Sequence, residues 1–193
     1  MFPFWEQYLK TCKQIMIKHP NFEISSSIKE TIELKASLQE CWNIITIENH
    51  LELFHPFIVS HFGKQLSSVG DKDNIIYINN LNFTREVISI SEPKVDADSE
   101  SCGYNLLVGR KKKSLVKWRV KNNLLGSVDL SITIFQHTVS DYNKIIKFFV
   151  FNFYLKPQIR KYLKCVMQGL KYYIETKEIV EKDQFGKHKW FSQ

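Results

Sequence analysis

Three histidines between residues 50 and 61 have the chemistry to bind a metal ion or to transfer protons. His50, His55 and His61 lie within twelve residues. Their spacings of five and six residues place no two of them on one helix face, and no third, acidic ligand accompanies them at a spacing typical of a metal site. We therefore interpret all three as structural residues, and the sequence predicts no metal site.

The residues that usually act as nucleophiles lack partners in the sequence. Four cysteines, at positions 12, 41, 102 and 165, form no C-x-x-C pair and have no spacing that would hold zinc together with histidine. No G-x-S-x-G, P-loop or G-x-G-x-x-G motif is present, and no serine or cysteine has an evident neighbouring base. The cysteines are interpreted as reduced, mostly buried thiols, and the sequence predicts no catalytic residue and no cofactor.

Two charged residues fall inside predicted strands. Glu30 shares the buried parity of the first strand, and Arg85 lies in the middle of the fourth. Because a buried charge needs a partner, each is expected either to orient a polar group of a ligand or to pair with the other. The alternative is a position at the edge or rim of the sheet, since Glu and Arg are rarely buried.

A basic segment accounts for the net charge of the chain, which is +7. Seven of the 27 lysines and arginines lie between residues 110 and 121, where there is no acidic residue. Such a cluster attracts anionic lipid or nucleic acid. Charge runs are more often solvated, and the segment lacks the aromatic platform of single-strand binders. We therefore expect a hairpin tip followed by the solvated side of a strand, and no nucleic acid partner.

The composition, with 44% hydrophobic and 24% charged residues among 193, is typical of one globular domain without internal linkers. We divide this domain into a helical extension at 1–20, a core at 27–178 and a tail at 179–193. The extension is predicted as an amphipathic helix because apolar residues recur at helical spacing before Pro20, namely Trp5, Tyr8, Leu9, Cys12, Ile15 and Met16.

Alternating apolar residues predict seven strands in the core. The first contains Ile28, Ile32 and Leu34, and hairpin-sized turns join the others antiparallel, with Trp118 on the apolar side of the sheet and the opposite side solvated. Ser37 to Glu40 has the form of a capping box and predicts a short helix through residue 45, followed by a second at 47–54. The six later strands are predicted at 58–66, 74–80, 82–91, 102–109, 114–121 and 125–138.

The longest predicted element is a helix that follows Asp141 and continues to about Thr176, because one apolar stripe runs along it. Pro157 is expected to kink this helix or to begin its second half. Gly169 costs about 1 kcal/mol of helix propensity. A close approach by the sheet or a ligand would explain it, and an incidental small residue is the alternative.

Several short segments occur in a recognisable order along residues 27–178: Ala36-Ser37 through Trp42, His55-Pro56-Phe57, Glu86-Val87 with Glu92-Pro93, Val116-Lys117-Trp118 before Thr133-Ile134, and Tyr154 to Pro157 running into Gly169-Leu170-Lys171. Their order resembles the START-like superfamily, also called SRPBCC or helix-grip, and most closely its polyketide cyclase and lipid transport branch. The resemblance implies an α+β fold. A curved seven-stranded antiparallel sheet would wrap around the long C-terminal helix, with two short helices after the first strand and an extra N-terminal helix.

The resemblance also implies an apolar cavity between the sheet and the last helix. Physical reasoning agrees, because one helix cannot fill a strongly curved sheet along its whole length, although the chain's own aromatic residues are an alternative filling. We expect the cavity to bind an apolar small molecule or lipid, with transport of that molecule as a further role; the alternative is a cyclase or dehydrase acting on an apolar substrate. The expected ligand-binding residues are Phe57, Phe62, Tyr77, Arg85, Leu106, Trp118, Leu130, Ile132, Ile134, Leu163, Met167 and Leu170.

The segment from Ile145 to Tyr154 is apolar on all sides, which indicates burial or contact with an apolar partner. We expect it near the mouth of the cavity, where it would dock transiently on an anionic membrane surface; the alternative is that the N-terminal helix covers it. The tail at 184–191 has three aromatic residues and is expected to dock on the body. No signal-peptide pattern or membrane-length apolar stretch is evident, which predicts a cytoplasmic location.

Overall fold

The computed structural model describes residues 27–93, 101–110, 113–123, 126–136 and 144–192. Within them lie seven strands that form one sheet in the order β1-β7-β6-β5-β4-β3-β2, with every neighbouring pair antiparallel. The predicted N-terminal helix lies outside the described residues. The strands are β1 Ser27–Leu34, β2 Ile58–Phe62, β3 Lys72–Tyr77, β4 Asn82–Ser91, β5 Ser101–Gly109, β6 Lys113–Asn122 and β7 Val128–Phe135.

The two short helices after β1 are α1, Leu38–Thr46, and α2, Leu51–Phe54. As predicted, Ser37 caps α1, because its hydroxyl oxygen accepts a hydrogen bond of 3.1 Å from the backbone N–H of Glu40. The other half of the expected capping box is not formed. The carboxylate of Glu40 instead pairs with Lys177 Nζ at 2.5 Å, which ties α1 to the end of the last helix.

The C-terminal helical segment consists of α3, Lys144–Phe149, a π-helix at Val150–Leu155, and α4, Lys156–Thr176. Pro157 lies in the first turn of α4 and so begins the second half of this segment, as predicted. A Cβ atom at Gly169 would lie 2.1 Å from the carbonyl oxygen of Phe54. The close approach that Gly169 permits is therefore made by helix α2, not by the sheet or a ligand.

The curled sheet and α4 form the α+β arrangement that the sequence predicts. The inner face of the sheet packs on α4, and Trp118 on β6 is only 4% exposed, which confirms the predicted parity. Leu130 and Ile132 of β7 join the same core as Leu163, Met167 and Leu170 of α4. Among the described residues, no helix combines the length and the apolar character needed to cross a membrane.

The outer face of the sheet is not uniformly solvated, and the expectation of one polar face is wrong at its centre. Leu107, Leu115 and Phe135 form a second buried cluster, because they lie side by side on three neighbouring strands. The apolar run 106–108 hides this arrangement, since consecutive apolar residues show no alternation.

The basic segment is also less solvated than expected. Lys117 is 7% exposed, and its ammonium group lies 4.9 Å from the centre of the Phe135 ring. The guanidinium of Arg119 donates to the Trp118 carbonyl at 2.6 Å, and Lys113 pairs with Glu86 at 2.9 Å. These three charges stabilise the sheet, so they contribute less to a surface for anionic partners than the sequence suggests.

Candidate functional site

A cavity of about 490 Å³ lies between the inner face of the sheet, the first turns of α4 and the C-terminal tail. Its walls are mostly apolar, with Tyr77, Tyr162, Ser114, Gln136 and Arg110 as the polar contributors. The lining residues are Tyr77, Leu81, Phe83, Val108, Gly109, Arg110, Ser114, Val116, Ile134, Gln136, Leu155, Ile159, Tyr162, Trp190 and Phe191.

A smaller cavity of about 50 Å³ adjoins it deeper in the fold. Five lining residues are common to both spaces, namely Tyr77, Val108, Val116, Ile134 and Tyr162, so the small cavity is the inner end of the large one. His55 and Arg85 reach this inner end. The cavity therefore has a wide apolar outer part and a narrow inner part with polar side chains.

The C-terminal tail forms one wall of the outer part. The ring of Phe191 stacks on Tyr77 with 4.4 Å between centroids, and Asn79 Nδ2 donates to the carbonyl oxygen of Trp190 at 2.5 Å. His188 is buried, and its Nε2 lies 3.0 Å from the carbonyl oxygen of Gln158 on α4. The prediction that the tail docks on the body is confirmed.

His55, Tyr77 and Tyr162 form a hydrogen-bonded group that we call the phenol cluster. His55 Nε2 lies 2.8 Å from Tyr162 Oη, which lies 3.2 Å from Tyr77 Oη. Burial, together with the Arg85 charge, lowers the pKa of His55 to about 3. Burial raises the pKa of Tyr77 to about 12 and that of Tyr162 well above its ordinary value. All three side chains are therefore uncharged at neutral pH.

A second group, the carboxylate cluster, contains His50, His61, Asp73 and Arg85, all of them buried. Asp73 on β3 lies directly opposite Arg85 on β4. Arg85 Nε donates to Asp73 Oδ1 at 2.7 Å and Nη2 to Oδ2 at 2.5 Å, which is a bidentate ion pair. His61 Nε2 lies 3.0 Å from Asp73 Oδ2 and 2.8 Å from Arg85 Nη2.

The charges of Asp73 and Arg85 balance within this cluster. Burial alone would raise the pKa of Asp73. The hydrogen bond from His61 and the Arg85 charge outweigh this effect and hold the pKa below its ordinary range. Burial and the Arg85 charge lower the pKa of His50 well below its ordinary value. His50 Nδ1 donates to the Ile47 carbonyl at 2.8 Å, so its Nε2 is left to accept from Arg85, whose Nη2 is 3.4 Å away.

Comparison with solved structures of the same architecture identifies the fold of this chain. A START superfamily protein from Mycobacterium smegmatis matches with a TM-score of 0.52 and 13% identity, over 78% of this chain and 98% of that chain. This chain has the START-like fold. It is the fold that the order of the sequence segments predicts.

Two further structures share the START-like fold with this chain. Ara h 8.0201 matches with a TM-score of 0.52 and 8% identity, over 78% of this chain and 97% of that one. DynU16, from the dynemicin biosynthetic locus, matches with a TM-score of 0.54 and 12% identity over 82% of this chain, which spans only 51% of DynU16. No family model and no curated protein matches the sequence.

Seven of the twelve expected ligand-binding residues line the two parts of the cavity: Tyr77, Arg85, Leu106, Trp118, Ile132, Ile134 and Leu163. Their role in binding stays a prediction. Phe57, Leu130, Met167 and Leu170 are buried in the core and do not appear among the residues that line either part of the cavity. Phe57 packs behind the site, with its ring stacked on Tyr162 at 5.8 Å.

Phe62 lies on the surface, with 58% of it exposed, and does not line the cavity. The cause is a bulge in β2, where Ile58 lies opposite Tyr77 and Ser60 lies opposite the next residue, Ile76. The bulge shifts the alternation by one residue. His61 therefore points inward and Phe62 outward, contrary to simple parity.

For Glu30 the alternative of a rim position is confirmed, whereas one expectation for the histidines needs correction. Glu30 does not pair with Arg85; it lies at the rim, 3.4 Å from the guanidinium of Arg160 on α4. The histidines do have an acidic neighbour, because Asp73 contacts His61. Among the described residues, no group of three or more His, Cys, Asp or Glu side chains could hold a metal. Cys41, Cys102 and Cys165 are free, buried thiols, and burial raises the pKa of Cys41 to about 11.

Among the polar residues of the cavity, the sequence predicted Tyr77 and Arg85 but not Tyr162 or His55. Tyr162 belongs to the apolar stripe that predicts the last helix, and His55 was interpreted only as structural. Trp190 and Phe191 were expected to dock without a role in the cavity. A usable signal was present for Tyr162, since a tyrosine in a buried stripe needs a partner for its hydroxyl.

Proposed function

We propose that this protein binds an apolar small molecule in the cavity between the sheet and α4. The observation that carries the proposal is the cavity of about 490 Å³, whose walls are formed mainly by aliphatic and aromatic side chains. Its size falls in the range of small-molecule sites, and burial of an apolar ligand against such walls is favourable. The START-like fold supports the proposal as an analogy only.

Binding is favoured over catalysis by the protonation states around the inner end. A general acid or base works best when its pKa lies near the operating pH. The pKa of His55 is lowered to about 3 and that of Tyr77 is raised to about 12, so neither exchanges protons readily near neutrality. A cyclase or dehydrase acting on an apolar substrate remains the alternative. Its rate enhancement would have to come mostly from the shape of the cavity.

Filling the cavity tests the proposal. Val116 lines both parts of the cavity, so Val116→Phe should occupy space needed by a ligand. Val59→Phe is the matched control, because Val59 lies on the surface of β2. The probe is N-phenyl-1-naphthylamine, an uncharged dye that fluoresces when it leaves water, and native mass spectrometry would detect any co-purified molecule.

We expect wild type and Val59→Phe to bind the dye equally and Val116→Phe to bind it at least about tenfold more weakly, which corresponds to about 1.4 kcal/mol. Absence of dye binding by wild type, with no retained molecule, would count against a ligand-binding cavity. Equal binding by all three proteins would place the dye elsewhere.

We further propose that the protein carries its ligand to or from anionic membranes. The support is an exposed apolar patch beside the cavity mouth, comprising Ile145, Phe148, Phe149, Phe153 and Tyr154. The ring of Tyr154 lies 5.9 Å from that of Trp190, which lines the cavity. Exposed apolar groups of this kind mark membrane or partner contacts. The alternative, in which the N-terminal helix covers this patch, concerns residues outside those described.

Basic side chains of α4 flank this patch. Lys156, Arg160, Lys161 and Lys164 line a neighbouring surface groove together with Asn152 of the π-helix. Arg160 pairs with Glu30, whereas the three lysines have no ion pair with any described residue. Aromatic side chains beside cations suit the interface of an anionic bilayer.

Co-sedimentation with vesicles of phosphatidylcholine and phosphatidylserine tests the membrane proposal. We expect wild type to sediment at low salt and the Phe149→Ser, Phe153→Ser double variant to stay in solution. A Val69→Ser, Ile179→Ser double variant is the control, because both residues are equally apolar and exposed elsewhere. If wild type and the Phe149, Phe153 variant behave alike, docking by this patch is wrong, whatever the outcome of the dye measurement.

A further inference from the structure

The phenol cluster has one more hydrogen-bond donor than it can use. His55 Nδ1 accepts a hydrogen bond of 3.2 Å from the backbone N–H of Phe57, so the ring carries its proton on Nε2. That proton and the two phenolic protons make three donors. Among the described residues, the cluster contains two hydrogen bonds, from His55 to Tyr162 and between the two phenols. Whichever phenol donates to the other, one phenolic proton therefore has no acceptor within the cluster.

Both phenols that could carry the remaining proton line the cavity. Tyr77 and Tyr162 line both its outer and inner parts, at the place where the two meet. Tyr77 is 3% exposed, so its hydroxyl is nearly removed from bulk solvent. A buried donor without an acceptor is costly, and a ligand oxygen at this place would remove the cost.

The surroundings of the two phenols select against a charged ligand group. Arg85 also reaches the inner end, but both oxygens of Asp73 hold its guanidinium, so the pair carries no net charge. His55 and His50 are neutral because burial lowers their pKa values. A carboxylate placed beside Tyr77 would be a buried charge without a counterion.

We propose that Tyr77 and Tyr162 form a subsite that donates a hydrogen bond to an uncharged oxygen, such as a ketone or hydroxyl, at the inner end of an apolar ligand. This inference rests on the proposed function and narrows its ligand class. The ligand is an apolar molecule with a neutral acceptor group at its inner end, in contrast to a molecule that presents a carboxylate there.

Three small probes with one skeleton test the subsite: naphthalene, 2-acetylnaphthalene and 2-naphthoate. Their dissociation constants are measured by displacement of N-phenyl-1-naphthylamine from wild type and from Tyr77→Phe, Tyr162→Phe and Tyr104→Phe. Tyr104 is the control, because it is buried and donates to the carbonyl oxygen of Ile45 at 2.9 Å but does not line the cavity.

We expect wild type and Tyr104→Phe to bind the ketone about fivefold more tightly than naphthalene, as one net hydrogen bond provides, and the carboxylate most weakly. Tyr77→Phe and Tyr162→Phe should each reduce the preference for the ketone, because each variant keeps only one of the two phenolic hydroxyls, while naphthalene binding stays unchanged. Equal affinity for ketone and hydrocarbon in wild type, or tightest binding of the carboxylate, overturns the subsite and leaves the cavity proposal standing. Displacement by none of the probes, with no dye binding, overturns both.

Discussion

The carboxylate cluster and the phenol cluster both lie on the inner side of the sheet, yet their hydrogen bonding differs in completeness. In the carboxylate cluster, both oxygens of Asp73 accept from Arg85 and the charges cancel. In the phenol cluster, three donors share two acceptors and no side chain is charged. Burial of polar groups therefore does not by itself mark a ligand-binding site. The incompletely bonded group, open to the cavity, is the one with chemistry left for a ligand.

Local sequence supports this division of roles. A Cβ atom at Gly63 would lie 2.2 Å from Cβ of Asp73, so only glycine leaves room for the carboxylate at this place. Asp73 and Arg85 face each other across two neighbouring strands, which fixes their geometry through the sheet. The phenols instead come from β3 and α4, so their separation depends on how the helix packs on the sheet.

The largest effect is expected from breaking the carboxylate cluster. Asp73→Asn keeps the shape but leaves the Arg85 charge buried without a counterion, which should lower the free energy of unfolding by about 3–5 kcal/mol. Glu86→Gln is the control, because Glu86 lies next to Arg85 on β4 and pairs with Lys113 near the surface. It should cost less than about 1 kcal/mol. Urea unfolding measures both, and equal losses would show that the cluster is not a structural unit.

Acid is expected to have an intermediate effect on the free energy of unfolding, because His55 binds a proton more readily in the unfolded chain. Its pKa is about 3 in the folded protein and about 6.5 in the unfolded chain, so between these values the unfolded state binds a proton that the folded state does not. The contribution of His55 is therefore complete above pH 6.5 and declines as the pH falls, by about 1.4 kcal/mol per pH unit. Asp73 acts in the same direction at lower pH, because its folded pKa is depressed.

Comparison of wild type with His55→Gln isolates this contribution. Between pH 6 and pH 4, the free energy of unfolding of the variant should fall less steeply, by about 1.4 kcal/mol per pH unit. His50 remains in the variant and keeps part of the dependence, since its pKa is also lowered. Equal slopes for the two proteins would mean that His55 is not buried as a neutral side chain.

The pairing of successive strands from β2 to β7 could be predicted because it depends on local patterns, whereas the pairing of β1 with β7 joins distant residues and follows from no local pattern. Alternation in β6 and β7 places Trp118 and Ile132 inward, and the capping serine Ser37 marks the start of α1. Hairpin turns then bring successive strands together. Such signals act over a few residues, so one sequence is enough to read them, and the order of segments that resembles the START-like superfamily completes the fold.

The site could be predicted only in part, because its polar residues meet through distant contacts. His61 faces Arg85 only because of the bulge in β2, and parity alone placed Phe62 inward instead. Tyr162 reaches Tyr77 across 85 positions, and the tail closes the cavity by packing that no periodicity records. The apolar walls follow from alternation, whereas the hydrogen bonds that give them specificity depend on the three-dimensional register.

The smallest stability effect is expected at Tyr77, a residue of the proposed subsite. Tyr77→Phe removes a hydroxyl that stands at the end of the chain of hydrogen bonds, and its only described partner, Tyr162, keeps the bond to His55. The free energy of unfolding should change by about 0.5 kcal/mol or less, since no buried group loses its last partner. Tyr162→Phe differs, because it leaves the His55 N–H without its acceptor and should cost about 1–3 kcal/mol. Urea unfolding of both variants at pH 7 checks the order. A loss with Tyr77→Phe as large as that with Tyr162→Phe would mean that the Tyr77 hydroxyl is a structural group, complete in its bonding like those of the carboxylate cluster.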